Sequence, residues 1–373
     1  MSFFKFVKKD ETKQTKSKMI IALIGFSNSG KTTIFNALTH QKIETSPFIT
    51  PPEVVHKGIL YVEDSRLKKI SEIVKPKKTT FATIECIDLA GFLKNNSSHN
   101  FKIIRKIFDA DALVYVLRAF DKSAVAYQFE SIDPLRDLRE LEYELLMTDL
   151  DLITKRIERI DEQKKRGQKV NEKEREVLEL FRKHLEEGKS LREISLKDEM
   201  LVEIRHLSFI TMKPAFAVIN MNEKGFNEDK FKEINFPKIC GTLEYEISQL
   251  PEEEKAGFLN AMNIDEPVNK KIIRKVYEIL NYISFFTTAH QEVRAWSIKK
   301  GTRAIDAAGK IHSDIKRGFI RAEVISYSDY MMLNGDMNLA KQKGIFRLEG
   351  KEYEIKDGDI ITFRFKVYLE RNS

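Results

Sequence analysis

The first uninterrupted apolar run, Met19 to Ile24, is short and meets a glycine at once, the pattern of a strand buried on both faces that ends in a turn. Similar runs recur at Phe81 to Leu89, Ala112 to Leu117 and Pro214 to Ile219, and a shorter one precedes Cys240-Gly241-Thr242. Helical spacing appears between them, at Ile34 to Leu38 and Phe101 to Phe108. Strand alternating with helix predicts a parallel sheet covered by helices. From Asp133 to about Arg205 the period changes. Leu138, Leu141, Leu145, Leu152, Ile153, Ile157 and Ile160 mark one stripe, and Val177, Leu178, Phe181 and Leu185 mark a second beyond a polar stretch. Two long antiparallel helices, forming an arm, are predicted there. The final section, Phe286 to Val367, carries no bundle pattern. Its end, Tyr353 to Ile355, Asp357-Gly358-Asp359 and Ile360 to Phe365, reads as strand, turn, strand in a small mixed α+β module.

Composition narrows this only a little. A chain of 373 residues, 42% of them hydrophobic, can supply two or three cores. Lysine and arginine outnumber acids by 64 to 57, for a net charge of +7, which permits a polyanionic partner such as RNA without requiring one. Cys86 and Cys240 both sit in apolar, strand-like contexts, so no disulfide framework is expected and a reducing compartment fits. No apolar run approaches the roughly 20 residues of a bilayer span, and no sustained signal-peptide core is present. The expectation is a cytoplasmic protein, monomeric, with no transmembrane segment. Residues 1–18, with six lysines, read as a basic tail.

The chemistry is concentrated in Gly25-Phe26-Ser27-Asn28-Ser29-Gly30-Lys31-Thr32-Thr33, which fits GxxxxGK[ST] between a strand and a helix. In that motif the glycines let backbone N–H groups wrap phosphate, the lysine spans the β and γ oxygens, and the Thr32 hydroxyl ligates Mg²⁺. Two further stretches belong to the same chemistry. Pro47-Phe48-Ile49-Thr50-Pro51-Pro52 must be a loop, because prolines remove donors and fix the backbone, and Thr50 is its candidate switch residue. Asp88-Leu89-Ala90-Gly91 ends an apolar strand, the form of an acid acting on the Mg²⁺ shell and a glycine whose N–H meets the γ-phosphate. After the strand ending at Ile219 comes Asn220-Met221-Asn222-Glu223. Guanine-specific nucleotidases place NKxD here, since an Asp carboxylate accepts from guanine N1–H and N2; Glu223 replaces that Asp and Met221 the Lys. The expected division is therefore a P-loop nucleotide-binding domain over 19–132 and 206–285, a helical coiled-coil arm over 133–205, and a separate module over 286–373.

With the context segments Glu72 to Thr80 and Val293-Arg294-Ala295-Trp296, these motifs make the chain resemble the YchF or Obg-like ATPase family of translation-associated P-loop nucleotidases. The resemblance covers nearly everything from Met19 to Val367. It is specific, since that family carries NxxE in place of NKxD. Ala308 to Asp314 and Gly318 to Ala322 look like the family's C-terminal TGS domain, a β-grasp-like fold. The resemblance implies that Asn28, Ser29, Gly30, Lys31, Thr32 and Thr33 hold the triphosphate and that Thr32, Thr50 and Asp88 serve Mg²⁺. It implies further that Asp88 and Gly91 sense the γ-phosphate, that Asn220, Met221 and Glu223 hold adenine, and that the protein works on the ribosome. The implied reaction is ATP hydrolysis.

Three departures set this chain apart from the pattern. The N-terminal tail is an addition. Phe92 to Asn100 contains no glycine, where the family has a glycine-rich mobile loop. Phe92 holds the position of the water-orienting Gln of Ras-like enzymes, and Tyr115 stands where the family relies on a His. A phenol with a pKa near about 10 is a poor base near neutral pH, so slow turnover is expected, raised by Tyr115→His. Two other readings stay open: a nucleotide-gated ribosome- or RNA-binding module with negligible hydrolysis, and a GTPase.

Overall fold

The computed structural model describes residues 18–121, 125–227, 231, 233–262, 264, 266–289 and 291–366. The expected basic tail lies, but for Lys18, outside the described residues, as does Val367.

The apolar runs become the strands of one sheet: β1 (Met19–Ile24), β2 (Val55–Val62), β4 (Ala82–Leu89), β5 (Ala112–Ala119), β6 (Ala215–Met221) and β7 (Lys238–Ile239), in the order β2-β4-β1-β5-β6-β7. β1 and β5 pair in parallel, Ile24 opposite Tyr115, and β5 pairs in parallel with β6, Val116 opposite Val218. All eight residues of β5 are buried, as a central strand covered on both faces requires. On one side Leu113, Tyr115 and Leu117 pack with Ile103, Ile104, Leu141 and Leu145. Two helices open the series, α1 (Lys31–Thr39) and α2 (Ser65–Val74), and α3 (Ser97–Ile104) follows β4.

The arm is present as two helices. Asp133 caps α4 (Pro134–Lys165), accepting from the N–H groups of Leu135 and Arg136, and Pro134 stands in the first turn, where its missing N–H costs nothing. Asn171 caps α5 (Glu172–Glu186) through the Glu174 N–H. The stripes read from the sequence meet: Leu146, Ile153, Ile157 and Ile160 pack with Val177, Leu178, Phe181 and Leu185. Antiparallel pairing is marked by the ion pairs Lys164–Glu172 and Arg175–Asp161, both 2.7 Å.

A second sheet is mixed. It comprises β3 (Lys78–Thr80), β8 (Tyr282–Thr288), β9 (Glu292–Lys299), β10 (Phe319–Ser326), β11 (Arg347–Glu349) and β12 (Asp359–Phe365), in the order β11-β10-β12-β8-β9-β3. The helix Ala304–Ile311 lays Ala304, Ala307 and Ala308 against Phe285, Ala322, Val324 and Ile361, small side chains letting helix and sheet approach closely. One expected strand is absent. The backbone of Tyr353 to Ile355 is spent elsewhere, Tyr353 O accepting from Ala304 N at 2.8 Å and Ile355 N donating to Thr302 O at 3.0 Å, and β12 pairs instead with β10 and β8.

Contacts group Ile20–Leu60 and Glu85–Ile279 into one unit, and residues 18–19, Tyr61–Ile84 and 280–366 into another. This corrects the expected boundary, which kept residues 61–84 in the nucleotide-binding domain over 19–132. The cause is pairing that brings distant parts of the chain together: β3 runs parallel to β9, Thr79 opposite Val293, and Thr80 Oγ1 donates to Glu292 at 2.5 Å. Arg66 adds to it, forking between Asp64 at 2.8 Å and Asp357 at 2.7 Å. The arm stays with the first unit. Among the described residues no helix is long and apolar enough to cross a membrane.

Candidate nucleotide-binding site

β1, β5 and β6 run parallel, so the loops that follow them leave the same end of the sheet, where open α/β sheets bind ligands. With the end of β4 and the loop before β2 they line a cleft of about 1000 Å³. It gathers Asn28, Gly30, Lys31, Thr32, Thr33, Thr50, Asp88, Gly91, Asn220 and Met221.

The turn after β1 is shaped by its glycine. Gly30 has φ +89°, and a Cβ there would stand 2.1 Å from Asn220 Nδ2, so both backbone and space demand glycine. α1 begins at the next residue and presents its N-terminal N–H groups, a ready anion site. Lys31 is 5% exposed, with Nζ donating to the Gly25 and Phe26 carbonyls at 3.2 and 3.0 Å. Burial pulls its pKa down to about 8, against the opposing charge of Asp88.

Asp88 closes the other side. Its Oδ2 accepts from Thr32 Oγ1 at 2.8 Å, while Oδ1 is buried without a partner. Burial pushes this carboxyl up, and Lys31, Thr32 and His56 pull it down. A buried carboxylate with a spare oxygen beside a threonine hydroxyl is a hard oxygen set, the kind Mg²⁺ takes, and the residues present fit that ion. Ser29 Oγ is a second buried oxygen without a partner; Ser29 itself is not among the lining residues. Gly91 packs against the P-loop so closely that a Cβ would stand 2.3 Å from Ser27 N.

Two side chains tie the rim together. Asn28, in the left-handed region at φ 62°, donates through Nδ2 to Pro47 O at 3.1 Å and Ala126 O at 2.9 Å, joining the Thr50 loop to the loop after β5. Arg118, 1% exposed, donates to the carbonyls of Asn28, Phe120 and Val125 at 3.1 to 3.2 Å. Its guanidinium lies over the rings of Phe120 and Tyr127, 4.5 and 4.6 Å from their centroids. At the far end Asn220 is a buried bridge: Nδ2 donates to Ser29 O at 2.9 Å and Oδ1 accepts from Gly241 N at 3.0 Å.

Comparison with known proteins agrees with this architecture. A family model described as a 50S ribosome-binding GTPase matches residues 20–183, and the YchF-GTPase_C model, described as "Protein of unknown function (DUF933)", matches residues 282–366. The Ribosome-binding ATPase YchF of Haemophilus influenzae is 38% identical over 360 residues, covering 92% of this chain and 98% of that protein. The protein of the same name from Bacillus subtilis is 37% identical over 365 residues, with the same coverage. This chain belongs to the YchF family. The solved structure of the Schizosaccharomyces pombe YchF GTPase has a TM-score of 0.79 at 25% identity and covers 93% of this chain and 98% of its own.

Besides Ser29, two expected site residues stand outside the cleft, Tyr115 and Glu223. Tyr115, read as a catalytic position, does not line the cleft. It is 2% exposed, packs with the core between β5 and the arm, and its hydroxyl lies by Glu142 and Arg192. Burial, then the charge of Glu142, pushes its pKa well up. Tyr115→His therefore puts an imidazole at the base of the arm, and phosphate release should stay within about twofold of the unmodified protein rather than rise. A clear acceleration would return Tyr115 to the reaction. Glu223 is exposed at the start of the helix Glu223–Asn227 and does not line the cleft; Met221, 2% exposed, and Asn222 do. Phe92 is fully buried in the core, so it presents nothing to a water.

Sequence reasoning missed His56, Phe120, Asp121 and Val125, all of which line the cleft. The available signal was positional. Phe120 and Asp121 follow a parallel strand at the end of the sheet where Gly25 and Asn222 follow theirs.

Proposed function

We propose that this YchF-family chain binds and hydrolyses ATP in the presence of Mg²⁺ and acts on the ribosome. The observation that carries the reading is that one cleft holds both buried Lys31 and buried Asp88, whose Oδ1 is unpartnered. The curated relatives, named ribosome-binding ATPases over 98% of their length, supply the nucleotide and the partner.

Thr32, Thr50 and Asp88 are the residues that would hold Mg²⁺, which, when bound, neutralises charge on the β and γ oxygens. Lys31 places a desolvated cation beside the same oxygens, and the N–H groups opening α1 add fixed dipoles aimed at them. Gly91 offers its N–H where the γ-phosphate ends. Asn220 holds the P-loop against the base pocket, and buried Met221 gives the purine an apolar wall. Adenine is favoured over guanine because Glu223, at the position where NKxD has its Asp, brings no carboxylate into the cleft to accept from N1–H and N2. Glu223 remains outside it.

A second reading, a nucleotide-gated module with negligible turnover, draws on the burial of Phe92 and the position of Tyr115, neither of which can orient water. Competition against a fluorescent ATP analogue decides the nucleotide: ATP is expected to displace it at least about tenfold more effectively than GTP, a difference of roughly 1.4 kcal/mol. Equal or stronger displacement by GTP rejects the ATP assignment. Phosphate release measured with and without ribosomes decides the reaction, with measurable release, faster on ribosomes, expected. Nucleotide binding with no release in either arm selects the gated module.

A further inference from the structure

His56 enters the cleft from β2, between the Thr50 loop and the sheet. Its side chain is about one-third exposed, and its Nδ1 lies 3.3 Å from Asp88 Oδ2, the oxygen that also accepts from Thr32. The ring rests near that of fully buried Phe35, centroids 6.4 Å apart. Nothing in the P-loop motif asks for an imidazole here, and the contact is made to one oxygen only. Asp88 Oδ1, in the same carboxylate, is buried and has no partner.

We infer that His56 is a positioning residue for the Mg²⁺ shell. An ionised carboxylate only accepts, so the contact requires the proton on Nδ1, and Nδ1–H donates to Oδ2. With Thr32 Oγ1 donating to the same atom, Oδ2 is anchored from two sides and the rotation of the carboxylate is fixed. Oδ1 is left as the one oxygen available to the ion or its water, beside the threonine hydroxyl. Partners that orient a carboxylate in this way govern metal affinity as the ligands themselves do. The role is separate from phosphate contact, which Lys31 and the P-loop make without His56. The inference rests on the reading of the cleft as a Mg²⁺–nucleotide site.

The test measures binding, without turnover. The affinity of a fluorescent, non-hydrolysable ATP analogue is titrated in excess Mg²⁺ and in EDTA, and the ratio of the two is compared among variants whose folding is verified by thermal unfolding. The unmodified protein is expected to bind more tightly with Mg²⁺. His56→Leu should cut that ratio at least about tenfold, the lower end of what loss of an orienting partner costs. His56→Asn, whose amide Nδ2 can occupy the place of Nδ1, should restore most of it. Should the leucine variant fail to fold, His56→Ala carries the same expectation. A ratio unchanged in the leucine or alanine variant overturns the inference, and affinity falling equally in both conditions does so as well, since a packing role predicts that. An unmodified protein indifferent to Mg²⁺ overturns both the inference and the reading of the cleft beneath it.

Discussion

Replacing Lys31 by alanine is expected to abolish ATP turnover and to weaken ATP binding about ten- to a hundredfold. The amine is 5% exposed, so its attraction to phosphate is little screened, and a hydrogen bond to a charged partner is worth roughly 1.5–3 kcal/mol. Part of that is already spent: Nζ holds the Gly25 and Phe26 carbonyls, and the ligand must compete with them. The loss in rate should exceed the loss in affinity, because charge on the transferring phosphoryl group grows toward the transition state. Isothermal titration and phosphate release measure the two effects. ATP affinity within about twofold of the unmodified chain, with the fold intact, removes this residue from the site.

The second large effect belongs to Asn220. Asn220→Ala leaves the Ser29 carbonyl and the Gly241 N–H unpaired in a buried place, and each such orphan costs about 1–3 kcal/mol. A destabilisation of about 2–4 kcal/mol is expected for the nucleotide-binding unit, read as a shift of its denaturation midpoint. Nucleotide affinity should fall with it even at temperatures where the variant is folded, because Asn220 Nδ2 is what Gly30 packs against and the P-loop turn loses that support. A midpoint and an affinity both unchanged contradict the bridge.

The contrast between these residues and Tyr115 shows what a sequence exposes and what it conceals. Lys31, Thr32, Asp88 and Gly91 were legible because each is fixed by a short motif at the end of a strand, where local spacing sets the geometry. Tyr115 was legible as a position and not as a direction. Every residue of β5 is buried, so the alternation that tells the two faces of a strand apart is missing from its sequence. Glu223 fails for a related reason: the chain turns into a helix at that residue, and the carboxylate leaves the line set by β6. The placement of Tyr61–Ile84 with the C-terminal residues was invisible because it depends on pairings such as Thr80 with Glu292, separated by most of the chain. His56 carried no motif at all. Only the meeting of β2 with the end of β4 gives it meaning.

The backbone joining Gly91 to Leu93 is held from several directions. Phe92 N donates to Gly25 O and Phe92 O accepts from Ser27 N, both at 3.0 Å, and the phenyl ring is sealed in the core. Fully buried Asn100 clasps Leu93 through its N–H and its carbonyl, both at 2.9 Å, and Gln128 grips Phe92 O and Lys94 N. Withdrawing Gly91 from the P-loop it packs against would mean breaking this set of bonds together and extracting an aromatic ring. Gly91 and the turn after β1 are therefore clamped to one another through Phe92, while the chain just beyond, residues 94–98, is exposed.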